Sequence, residues 1–184
     1  MKIFGIGLNK TGTKTLGDCF KAFGFNNKTF DMNLLHEFSK QNFDAIFKIC
    51  DLFDSFEDWP WPLLYKELDL RYPNAKFILT TRIAPEVWFE SLCLHAERTG
   101  PTEARRIAYK HSMPHDYKDF HIDLYSRHNE EVALHFSGKD DKLLQVCWEN
   151  GDEWEKLSSF LNLPIPHLPF PHTNKRPQIF SHNQ

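Results

Sequence analysis

Lys10, Thr11, Gly12, Thr13, Lys14 and Thr15 form one unbroken run near the start of the chain. Their types suit the holding of a phosphate-like anion: lysine brings positive charge, threonine brings hydroxyl donors, and glycine lets the backbone turn its N–H groups inward. The flanking residues place this run between a strand and a helix. Ile3-Phe4-Gly5-Ile6-Gly7 is a short apolar run that suits a buried strand. Leu16, Cys19, Phe20 and Phe23 then recur at helical spacing, and Gly24 sits where a helix C-terminal glycine belongs. A strand, a Gly/Thr/Lys turn and a helix aim unpaired amides and the positive helix end at one spot.

Three anion-loop patterns compete for these residues. The pattern G-x-x-x-x-G-K-[ST] finds its glycines at Gly7 and Gly12, but Thr13 takes the lysine position and Lys14 comes one residue late. The pattern G-x-G-x-x-G fails after Gly5 and Gly7, because Lys10 takes the third glycine position. The third keeps Lys10 inside the loop, ahead of Thr11-Gly12-Thr13, with its ammonium turned back to the anion.

The elements that must position this loop alternate along the chain. Residues 29–32 are predicted as a short strand, 33–41 as a helix and 44–50 as a strand, with the acidic loop 51–58 at its C-terminal end. Pro60 opens a helix reaching Tyr72, and 76–81 form a strand. Pro85 begins a helix carrying Val87, Trp88, Ser91, Leu92 and His95, which Thr99-Gly100-Pro101 breaks. Residues 102–117 are polar and partly helical, 120–136 helical, 142–148 a strand and 151–161 a helix. Such alternation implies an α/β fold: a mostly parallel sheet with helices on both faces. Ligands then sit at the C-terminal strand ends, which brings in Lys10, the loop 51–58, Arg82 and Trp148-Glu149-Asn150.

The loop resembles the 5′-phosphosulfate loop of the sulfotransferases. The resemblance extends to TTRIAPEVWFESL, where Arg82 and Ser91 stand in register with the family's holders of the donor 3′-phosphate, although Ile83 replaces the usual acidic or polar residue. It continues through Asp58-Trp59-Pro60, the closing helix from Gly151, and the tail Phe170 to Arg176. Residues 47–57 look like an insertion and 99–119 match weakly. The resemblance implies a P-loop NTPase-like three-layer sandwich, with 1–184 as one sulfotransferase-like domain. It implies transfer of a sulfuryl group from 3′-phosphoadenosine 5′-phosphosulfate to a hydroxyl or amine of a small-molecule or carbohydrate acceptor, without a metal. Lys10, Thr11, Gly12, Thr13, Lys14, Thr15, Arg82, Ser91, Asn174, Lys175 and Arg176 would hold the donor, with Lys10 and Asp58 catalytic.

Asp58 heads the candidates for the general base, with Asp51, Asp54 and His95 in reserve; Asp58 also fits a purely structural role as the N-cap of the helix that Pro60 opens. Two further readings stand beside this one. A kinase with an altered loop would need an Mg²⁺-holding acid at a strand end, for which Asp51 qualifies. A non-catalytic nucleotide-binding protein would keep the fold alone. Among the ten histidines, His111 and His115 have metal-ligand spacing, but Pro114 interrupts the turn between them.

Composition bounds the rest. A net charge of −3 gives no global pull toward nucleic acid or an anionic membrane. Cys19, Cys50, Cys93 and Cys147 are widely spaced and read as buried thiols of a reducing compartment. No stretch approaches ~20 apolar residues, and the N-terminus enters a strand at once, so a cytoplasmic location is expected.

Overall fold

The computed structural model describes residues 1–173. Five strands form one sheet in the order β2-β3-β1-β4-β5: β1 (Ile3–Gly5), β2 (Asn27–Lys28), β3 (Ser55–Phe56), β4 (Lys76–Thr80) and β5 (Leu143–Val146). Every pairing is parallel, with Ile3 opposite both Ser55 and Lys76, and Thr80 opposite Val146. The side-chain period of two divides the strands between two cores. Ile3, Ile78 and Val146 face α1 (Thr13–Ala22) and α8 (Trp154–Leu161), meeting Leu16, Cys19, Phe20, Leu157 and Leu161. Phe4, Phe56, Phe77 and Leu79 face the other way and pack with Ile46, Leu68, Val132 and Phe136. Those four residues come from α3 (Phe43–Cys50), α4 (Tyr65–Arg71), α7 (Lys118–His135) and its C-cap. Helices thus cover both faces, giving the three-layer α/β sandwich expected.

A third cluster closes the C-terminal end of the sheet. It joins Leu8 and Trp59 to Leu35 of α2 (Met32–Ser39), Trp88 and Leu92 of α5 (Pro85–Thr99), Tyr109 of α6 (Glu103–Tyr109) and Tyr125 of α7. This cluster carries the loops that hold the candidate site.

Four expectations are corrected. Residues 44–50 are a helix rather than a strand: Phe43, Ile46, Phe47 and Cys50 recur at helical spacing and turn into the core, a periodicity that a window opening at Asp44 conceals. The strand on that side is instead β3, two residues inside the stretch read as an acidic loop, while β2 lies at 27–28 rather than 29–32. The helix placed at 60–72 is a short 3₁₀ turn, Trp61–Leu63, followed by α4, and the peptide bond between Trp59 and Pro60 is cis.

Candidate functional site

The loop from Leu8 to Gly12 turns back on itself through two residues of left-handed backbone, Lys10 at φ 71° and Gly12 at φ 89°. Thr11 joins the loop to the sheet. Its N–H and hydroxyl both donate to the Leu8 carbonyl, at 3.3 and 2.6 Å, and its Oγ1 accepts from the Thr80 hydroxyl at 2.5 Å. Three side chains then draw loop carbonyls aside. Trp88 Nε1 donates to Asn9 O at 2.8 Å, Arg82 Nη1 to Lys10 O at 3.0 Å, and Trp148 Nε1 to Gly12 O at 3.2 Å. The carbonyls are thereby satisfied from α5, from just past β4 and from the turn after β5. What the loop has left to offer a ligand is its remaining amides, the Thr11 N–H being bonded to Leu8 O.

Helix α1 continues that arrangement. Gly12 caps it without a side-chain hydrogen bond, and its first turn carries no acid. The partial positive charge at its start is therefore not neutralised locally. A side chain at Gly12 would not fit, because a Cβ there would lie 2.4 Å from Trp148 Cδ1. Thr13 and Thr15 are buried, Thr15 Oγ1 reaches Thr173 O at 3.4 Å, and Lys14 points to solvent.

Opposite the loop stand Asp58 and His95. Asp58 adopts φ 69°, and its Oδ1 accepts from the Trp59 N–H at 2.8 Å. Burial raises its carboxyl above the usual range, against the opposing pull of the Trp59 N–H and the Lys10 charge. Burial also holds the His95 imidazole below its usual value, helped by Lys10, Arg105 and Arg98. The Lys10 charge therefore acts on both candidate bases. Buried Tyr109 closes the floor, donating its hydroxyl to Asn9 Oδ1 at 2.5 Å.

The other expected residues are placed less simply. Arg82 lies two residues past β4 beside the loop, and its guanidinium is engaged: besides Lys10 O, its Nη2 pairs with Glu149 Oε1 at 2.5 Å. Glu149 Oε2 in turn accepts the Ile83 N–H at 3.0 Å, while Arg82 Nε is buried without a hydrogen-bond partner among the described residues. Ser91 lies on α5, half-buried, and its side chain makes no hydrogen bond among the described residues. Asp51 and Asp54 leave the list of bases. Asp51 caps the end of α3 and accepts from the Tyr72 hydroxyl at 2.9 Å, and Asp54 precedes β3 at the opposite end of the sheet, accepting the Asn26 N–H. Asn174, Lys175 and Arg176 lie outside the described residues.

Two acids stand out from the structure rather than the sequence. Glu149 was legible only as part of a strand-end tripeptide, with nothing to pair it with Arg82 across 67 residues. Glu57 follows β3, is buried against Gly17 of α1, and lies 3.5 Å from Asn27 Nδ2. Burial pushes its carboxyl to about 7, with the Asp58 charge adding to the rise and bonds from Thr29 and Asn27 opposing it. Only the correct placement of β3 brings it under α1.

A family model described as a sulfotransferase domain matches residues 2–179, and the chain belongs to that family. The chain is also similar to a protein of Aspergillus versicolor named Ava biosynthesis cluster protein M. The two are 27% identical over 217 residues, which take in 94% of this chain and 80% of that protein. Among the described residues, no helix is long and apolar enough to cross a membrane.

Proposed function

We propose that the protein transfers a sulfuryl group from 3′-phosphoadenosine 5′-phosphosulfate to a hydroxyl of a small acceptor. The observation that carries this reading is the loop itself, whose carbonyls are drawn aside by Trp88, Arg82 and Trp148 so that Lys10, the loop amides and the uncapped start of α1 converge. Such a cradle fits a 5′-phosphate group. The donor supplies an activated sulfur–oxygen bond. Negative charge then grows on the leaving 5′-phosphate oxygen, and donors fixed in advance around it stabilise it without reorganising. Removing one such donor typically costs ~3–4 kcal/mol of barrier.

Asp58 is the base in this reading. Burial raises its carboxyl, which makes its carboxylate a stronger proton acceptor than that of an ordinary surface aspartate, and the Lys10 charge opposes that rise. His95, neutral by the same burial, is the alternative on the same side of the loop. Arg82 receives the 3′-phosphate, with the Glu149 carboxylate holding the guanidinium until then. The kinase reading loses its acid, because Asp51 lies away from the loop at the end of α3.

Thermal unfolding with 3′-phosphoadenosine 5′-phosphate, ATP and GTP, each with Mg²⁺ or with chelator, tests this reading. The bisphosphate at 100 times its dissociation constant adds ~2.7 kcal/mol of stability, in chelator as in Mg²⁺. Stabilisation by Mg·ATP alone replaces the reading with the kinase.

A further inference from the structure

The Arg82 and Ile83 N–H groups, just past β4, have left the sheet, and side chains from other elements take both. Thr81 N–H still bonds to Val146 O, at 2.8 Å. Arg82 N–H donates instead to the Tyr125 hydroxyl of α7 at 2.8 Å, and Ile83 N–H to Glu149 Oε2 at 3.0 Å. We propose that Tyr125 is a positioning residue, fixing Arg82 against the anion loop so that both ends of a 3′,5′-bisphosphate are met at one spacing. The proposal rests on the sulfotransferase reading above.

Tyr125 touches the supports of both sites. It is 2% exposed, and its ring stacks on Trp88, with centroids 4.8 Å apart and planes at 21°. Trp88 in turn donates Nε1 to Asn9 O in the loop at 2.8 Å. Further along α7, His128 Nε2 donates to Ile6 O at 2.8 Å, where the chain passes from β1 into the loop. One helix thus braces both the approach to the loop and the backbone of Arg82. Burial lifts the Tyr125 phenol above its ordinary range, so the hydroxyl stays un-ionised.

The Arg82 guanidinium reaches Lys10 O and Glu149, and a 3′-phosphate would take it from Glu149. Through that exchange the Tyr125 hydroxyl keeps the backbone at the root of the side chain in place. Without the hydroxyl, Arg82 N–H loses its partner, and the guanidinium has to be ordered as the phosphate binds. A ligand that carries a 5′-phosphate alone does not meet that cost, because Trp88 and Thr80 still hold the loop.

Calorimetric titration of wild type, Tyr125→Phe, Arg82→Ala and the double variant with 3′-phosphoadenosine 5′-phosphate and with adenosine 5′-phosphate tests the assignment. Tyr125→Phe keeps the ring and its stack on Trp88 and removes the hydroxyl alone. It should weaken the bisphosphate by about three- to tenfold, the worth of one hydrogen bond, and leave adenosine 5′-phosphate within about twofold. In the Arg82→Ala background the same change should cost the bisphosphate less than about twofold, because the hydroxyl acts through Arg82. Equal weakening of both ligands, no weakening of either, or additive losses in the double variant overturns the proposal and leaves the donor reading standing. Failure of the wild type to bind the bisphosphate removes the donor reading, and the proposal with it.

Discussion

Arg82 has two tasks that substitution can separate. It donates to Lys10 O and so supports the loop, and it presents a guanidinium that a 3′-phosphate can take from Glu149. Arg82→Ala should weaken 3′-phosphoadenosine 5′-phosphate at least about tenfold more than adenosine 5′-phosphosulfate, which lacks the 3′-phosphate. Equal weakening of both ligands in calorimetry would assign Arg82 to loop support alone. Glu57 makes a different prediction, about pH. Its carboxyl is raised from 4.5 to about 7 in the fold. Between those values the folded protein keeps a proton that the unfolded chain has released, so stability falls as pH rises through that window. The loss amounts to at most about 3 kcal/mol. Glu57→Gln keeps the shape and removes the titration. Its stability relative to wild type, from urea unfolding, should therefore climb between about pH 5 and about pH 8. A difference that stays constant across that range contradicts a buried, protonated Glu57.

Among the elements, the join between the loop and α1 is the one that tolerates least. Gly12 sits at φ 89° with the Trp148 indole against its α-carbon. Gly12→Ala meets left-handed strain of about 1–2 kcal/mol and a collision with the ring as well. The variant should unfold at lower denaturant and lose most of its affinity for the bisphosphate; unchanged midpoint and affinity would mean that the loop and Trp148 move apart freely. This join was legible in the sequence because strand, loop and helix are contiguous there, and both periodicities are clean from Ile3 to Phe23. The stretch from Asn42 to Phe56 was not. An eight-residue helix rich in phenylalanine and isoleucine imitates a strand when read from Asp44, and a two-residue strand gives no period at all.

At the scale of the whole molecule, the parallel sheet puts the decisive groups at one end although they lie far apart in the chain. Arg82 after β4, Asp58 after β3 and Glu149 after β5 all follow strands whose C-terminal ends point the same way. That end could be named from the alternation of elements alone. The pairings within it could not. The Arg82–Glu149 ion pair and the Tyr109–Asn9 hydrogen bond each span more than 60 residues, and hydrophobic periodicity carries no record of such partners. Asp51 illustrates the limit. Its side chain type suited a base, but the true course of α3 and β3 places it beside Tyr72.

The central claim is that Lys10, within this loop, stabilises the departure of a 5′-phosphate from a sulfuryl group. The most direct measurement follows the ³⁵S label of 3′-phosphoadenosine 5′-phosphosulfate in chelator, with a pool of phenols and ring alcohols as acceptors, for wild type, Lys10→Ala and Lys14→Ala. The account predicts that wild type moves label from donor to acceptor, one bisphosphate released per label transferred. Lys10→Ala should slow this by at least about 100-fold, because its benefit is greatest in the transition state. Lys14 points to solvent from the first turn of α1, and Lys14→Ala should stay close to wild type. Label that remains on the donor with wild-type protein, or a dead Lys14→Ala beside an active Lys10→Ala, contradicts the account.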